Sequence, residues 1–129
     1  MGQVSAKLRR TTDGYSYWCQ GCEEVHGVRT DGPNAIWGFD GNLEAPTFTP
    51  SVLTMSGHYV SSHKPGDKCW CTFAVEFPTR AATAPKCSRC HTFIRGGMVQ
   101  FLGDCTHALA GQTLPLPDLP EHLRDRSAP

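Results

Sequence analysis

Apolar residues recur along this chain in short alternating runs, broken every few positions by glycine, proline, Asn or Asp. Runs of this length with period-2 alternation read as strands, and the breakers between them as turns. Tyr15–Trp18 is aromatic and strand-like, Cys19-Gln20-Gly21-Cys22 is a tight turn, and Val25–Arg29 resumes an extended pattern. The turn Asp31-Gly32-Pro33-Asn34 precedes a short strand at Ala35–Phe39. Pro46–Ser51 holds two prolines and is expected at an edge or in a loop, ahead of a strand at Val52–Met55. Residues 56–68 read as an exposed loop, Cys69–Phe77 as the best strand candidate, and 78–86 as a linker-like loop. His91–Arg95 and Met98–Leu102 flank Gly96-Gly97, the signal of a two-residue hairpin turn. Asp104 is placed to cap a short helix over 104–110, and residues 119–126 have room for one or two helical turns.

The fold class that follows is mainly β with little helix, α+β at most: a small domain of short antiparallel strands and hairpins. Three segments are expected, a polar lead-in over 1–14, one domain over 15–113 and a Pro-rich extended tail over 114–129.

Composition changes this picture in one respect. A chain of 129 residues with 39% hydrophobic content supports one modest core, and small cores need extra staples. Seven cysteines are available for that role. The N-terminus lacks the apolar middle of a secretory signal, and no apolar run is long enough to span a bilayer. A cytoplasmic location is therefore expected, where thiols stay reduced and serve as metal ligands or nucleophiles rather than disulfides. Lys+Arg and Asp+Glu balance at 12 each, so the electrostatic driver of nucleic-acid binding is missing and no such partner is expected.

Two Cys-x-x-Cys turns, at 19–22 and 87–90, carry the strongest chemical signal. A tetrahedral zinc ion takes thiolate and imidazole ligands, and two sulfurs on one tight turn reach the same ion. The hairpin brings Cys90 roughly opposite Gly103, so Cys105 and His107 return beside it, whereas His91 points to the other strand face. The expected ligands of Zn2+ are thus Cys19, Cys22 and Cys90 with Cys105 or His107. Cys69 and Cys71 either join Cys87 in a second site or form a strand with one buried and one exposed thiol.

Candidate ligands outnumber the positions around one ion, so either two metals bind or some of these groups do chemistry. His26, His91 and Asp104 are the candidate catalytic groups, able to orient a water or move protons; support of the ligands is the plainer alternative. Ser51 is a candidate nucleophile, although a turn serine is the commoner case, and Glu23 and Glu24 read as solvated charges before they read as a base. No phosphate-binding loop, dinucleotide fingerprint, His-Glu-x-x-His, nucleophile-elbow or deaminase pattern occurs.

Tyr17–Cys22 with His26, Pro46–Ser51, Cys90–Ile94 and Phe101–Thr113 resemble a domain-of-unknown-function family of small phage and bacterial proteins, often auto-labelled ammonia monooxygenase. The resemblance spans about residues 15 to 118. Relatives occur beside bacterial ubiquitin-like conjugation genes, where the family looks like a metal-dependent peptidase that removes the ubiquitin-like protein. The positions that match are Cys19, Cys22, His26, Ser51, Cys90, His91, Asp104 and His107. Gln20 stands where the family more often has Pro, and Cys69, Cys71 and Cys87 look like additions.

The expected function is a zinc-dependent hydrolase acting on an ester or isopeptide bond, with a ubiquitin-like protein as substrate or partner. A phage copy would strip a host defence conjugate. The alternative is a zinc-stapled protein-binding module without chemistry. Oxygenase chemistry fits poorly, because thiolate-rich sites suit zinc better than oxygen-activating iron or copper.

Overall fold

The computed structural model describes residues 2–81, 84 and 86–125. Parts of the 78–86 loop and the last residues of the tail lie outside them.

Two antiparallel sheets face each other. The first carries β1 (Leu8–Arg10), β2 (Gly14–Cys19) and β3 (Glu24–Arg29) in that order. The second carries β4 (Gly38–Phe39), β5 (Phe48–Ser56), β6 (Ser88–Arg95), β7 (Met98–Phe101) and β8 (Thr113–Pro115), again in chain order. The mainly-β expectation holds.

Alternation makes the core. Tyr17, Cys19 and Val28 of the first sheet meet Phe48, Val52, Cys90, Ile94, Val99 and Phe101 of the second. The Tyr17 and Phe48 rings stack at 6.4 Å. Burying each large apolar side chain contributes roughly 1.5–3 kcal/mol, enough for these few residues to hold two short sheets together.

Both ends of the chain join this core. Leu8 is fully buried in β1, and Leu116 and Leu119 are buried beyond β8. The Leu119 amide donates to the Ala6 carbonyl. The described residues ahead of Gly14 and beyond Leu114, expected as lead-in and tail, thus contribute side chains to the same core. Their apolar residues are too few to announce an element, yet they close the two sheet edges.

The hairpin forms at its expected place, with Thr92 opposite Phe101 and Arg95 opposite Met98. Gly96 and Gly97 both take positive φ, 55° and 77°, as a two-residue turn of this kind requires.

Three local expectations fail. Cys69–Phe77 is not a strand: Trp70–Glu76 is α1, the single α-helix among the described residues. Its N-terminus is closed by a reciprocal cap between Cys69 and Thr72, and Trp70, Phe73 and Phe77 fall on one helical face. The run satisfies both periods, and the cap decides for the helix. Pro46–Ser51 is not an edge, because residues 48–51 begin β5 between β4 and β6. The prolines are tolerated because the β5–β6 register shifts between Phe48 and Val52, so Pro50 is spared a ladder bond it cannot donate. No helix starts at Asp104; residues 102–106 form a loop bonded along β6.

Candidate active site and metal centre

Strand β6 builds two sites, one on each face. Successive side chains on a strand point to opposite sides. Cys90, Thr92 and Ile94 turn into the core, while His91 turns outward and stays partly exposed.

On the outer face, His91 lies opposite Leu53 of β5, and Ser51 projects from the register break two residues earlier. Ser51 Oγ stands 2.9 Å from His91 Nε2. On the other side of the ring, His91 Nδ1 stands 3.3 Å from Asp104 Oδ2. Serine, imidazole and carboxylate thus form a continuous relay, with His91 26% and Asp104 42% exposed, open to a substrate. The Trp37 indole N–H donates to the Ser51 carbonyl.

The 102–107 loop holds Asp104 in reach. The Leu102 amide donates to the His91 carbonyl, and the Thr106 amide to the Arg89 carbonyl. Cys105 is buried beneath, where its Sγ takes the His91 amide at 3.3 Å and faces the His91 carbonyl at 3.3 Å. Cys105 was an expected metal ligand; the structure places its thiol outside the group formed by Cys19, Cys22, Cys90 and His107. Its thiol is spent on the His91 backbone, two residues short of the position that turns inward.

On the inner face, the position goes to His107. Its Nε2 lies 3.4 Å from Cys90 Sγ, and Cys90 Sγ lies 3.8 Å from Cys19 Sγ. Cys19, Cys22, Cys90 and His107 all offer ligand atoms within 4.8 Å of one another. Cys19 ends β2, the turn carries Cys22, and the Cys22 amide donates to Cys19 Sγ at 3.4 Å. Gly21 is required for a spatial reason: a Cβ there would lie 2.3 Å from the His107 ring. Phe101 meets that ring edge-on at 5.0 Å.

These distances suit a tetrahedral ion. Two sulfurs about 2.3 Å from zinc stand about 3.8 Å apart at tetrahedral angles, and a sulfur–nitrogen edge is about 3.6 Å. The electrostatics point the same way. Hydrogen bonds from Cys22 and then Cys90 hold the Cys19 thiol down at about 2, while the bond to Cys19 pushes Cys22 up to about 12. Cys90 is driven up as well, first by Cys19 and then by Cys22. Crowded thiols cannot all ionise by themselves, and a divalent cation among them removes that conflict. The clustered Cys and His side chains could hold a metal ion.

His26 does not join the outer-face relay. It lies in β3 opposite Tyr17, buried, with Nε2 3.3 Å from Glu24 Oε1 and close to Cys22. Its place is beside the thiol cluster. Cys69, Cys71 and Cys87 gather elsewhere with His58, a residue the sequence reading passed over. Its signal was the spacing ahead of Cys69-Trp70-Cys71, hidden in a loop of no clear periodicity.

The relay and the thiol centre, on two faces of one strand, can be set against known families. The model of BubE, the bacterial ubiquitination-like system serine protease, matches residues 2–102. This chain belongs to the BubE family. No curated protein and no solved structure matches it. The BubE description names a serine protease, whereas the sequence reading looked to the metal for chemistry. Among the described residues, no helix is long and apolar enough to cross a membrane.

Proposed function

We propose that this chain is a serine hydrolase of a ubiquitin-like conjugation system, cleaving the ester, amide or isopeptide bond at the end of the ubiquitin-like protein. The observation that carries the reading is the Ser51–His91–Asp104 relay, at 2.9 and 3.3 Å. The family description supports the substrate class.

Ser51 is the nucleophile. His91 Nε2 takes the hydroxyl proton as Oγ bonds to the substrate carbonyl carbon. Asp104 accepts from Nδ1–H, which selects the tautomer and stabilises the imidazolium as it forms. The same proton then passes from Nε2 to the leaving nitrogen or oxygen, and the C–N or C–O bond breaks. Water, activated by His91 in turn, splits the acyl-enzyme to a carboxylate and restores Ser51. The chain order Ser, His, Asp differs from the orders of the chymotrypsin, subtilisin and α/β-hydrolase frameworks, as expected of a relay recognised by geometry.

Zinc is the ion that the inner donor set fits, held by Cys19, Cys22, Cys90 and His107. Four protein ligands would fill a tetrahedron, so the ion would supply a structural clamp there. The residues that would hold it lie on or beside β2, β6 and the 102–107 loop, and the last two carry His91 and Asp104.

The test uses a fluorophosphonate probe that labels activated serines. The wild-type chain takes one label at Ser51 and cleaves a ubiquitin-like fusion, and Ser51→Ala does neither. A brief chelator treatment that leaves the protein folded leaves labelling intact. Cleavage by Ser51→Ala would overturn the assignment of the nucleophile.

A further inference from the structure

A second thiol centre lies away from the relay. His58, Cys69, Cys71 and Cys87 bring their ligand atoms within 4.8 Å of one another. Cys71 Sγ is 3.7 Å from Cys87 Sγ, 3.6 Å from His58 Nδ1, and Cys69 Sγ is 3.9 Å from the same nitrogen. These are again the edges of a tetrahedron about one zinc-sized ion, about 3.8 Å between sulfurs and 3.6 Å from sulfur to nitrogen. The two clusters share no ligand, and a cleft lined by Gly21, Cys22, Trp70, Cys87 and His107 lies between them.

The described chain around the cluster has no buried core of its own. The segment leaves the sheet at Ser56 and rejoins it at Ser88, its paired partner. None of the described residues between 57 and 87 is buried. α1 buries nothing, and neither does the 3-10 turn at Gly57–Tyr59. A segment without a core is ordered only when a staple offsets its conformational entropy.

The backbone is shaped around the cluster. Cys69 caps α1 and Cys71 sits in its first turn, so one turn presents two thiols. Gly57 takes φ +63°, and a Cβ on it would lie 2.2 Å from Cys87 Sγ. It has the same spatial role here that Gly21 has beside His107.

We propose that His58, Cys69, Cys71 and Cys87 form a second, independent tetrahedral site for a divalent ion of the zinc class, and that this ion folds the 57–87 segment. Three thiolates and one imidazole select a soft, tetrahedral ion over calcium, magnesium or manganese. The ion is structural, since all its positions are filled by protein. It leaves Trp70, Phe73 and Phe77 displayed on one face of α1, with Arg80 over the last two rings at 5.6 and 5.5 Å.

Native mass spectrometry of the full chain, purified under reducing conditions with zinc in the growth medium, tests this. The wild type is expected to carry two zinc ions. Cys71→Ser with Cys87→Ser, and separately His58→Ala, carry one. The variants are also cut faster by trypsin at Lys68, Arg80 or Lys86, while fluorophosphonate labelling of Ser51 stays at the wild-type rate. That labelling reports that the β-core is folded, so loss of one ion cannot be ascribed to global unfolding. A wild-type protein and a double variant with the same ion count would overturn the second site and leave the first standing. A Cys71–Cys87 disulfide in the wild type would overturn it too.

Discussion

Cys90 and His91 are neighbours on β6 and serve opposite faces of it. Cys90 Sγ stands 3.8 Å from Cys19 Sγ in the core, and His91 Nε2 stands 2.9 Å from Ser51 Oγ outside. The thiol cluster and the Ser51–His91 contact therefore share one strand, on opposite faces.

Asp104 accepts from the His91 ring, so Asp104→Asn should leave the fold intact and present the wrong tautomer to Ser51. The expected loss is roughly 10³–10⁴ in kcat, with KM little changed. Steady-state cleavage of a ubiquitin-like fusion measures it. A kcat within a few-fold of wild type would remove Asp104 from the relay.

Cys105 Sγ contacts the His91 backbone and lies outside the proposed ligand set. Cys105→Ala should keep the full metal content while losing the thiol contacts, each worth about 0.5–1.5 kcal/mol net. A drop in melting temperature with unchanged zinc stoichiometry is the expected pair of readings. Loss of one ion per chain would restore Cys105 to the ligand set.

Gly21→Ala forces a methyl into the space of the His107 ring. The ring has to move off Cys90, and metal affinity is expected to fall by about 10–100-fold, as when the support of a ligand is lost. Competition with a zinc chelator of known affinity reads the change. An unchanged affinity would mean that the ring does not ligate at this position.

Acid should release the inner ion. Each thiolate set free takes up a proton, so affinity falls as pH falls and recovers as it rises. Cys19 is the exception, held ionised down to about 2, so the Cys22 and Cys90 thiols set a slope of up to about two decades in affinity per pH unit. Zinc release followed by a chromogenic indicator between neutral and mildly acid pH gives the slope. A slope near zero would exclude a thiolate-held ion.

Much of this protein was legible along the chain. The alternation over 15–29, the Gly96-Gly97 turn and the knuckle at 19–22 predict β2, β3 and the β6–β7 hairpin, because each depends on residues close together in the chain. The hairpin register even places His91 opposite to Cys90, since strand period is a local property.

What folding alone decided is which distant groups share a point in space. Cys105 and His107 both return beside β6, and only the path of the 102–107 loop settles that one ties down His91 while the other turns inward. Ser51 meets His91 at a register break in β5, which no local pattern shows. The run from Cys69 fits strand and helix alike, and the choice rests on a cap and on thiols that meet His58 and Cys87 across the segment. Local periodicity specifies elements; the ligands and the relay are long-range contacts, set by how the two sheets and their loops pack.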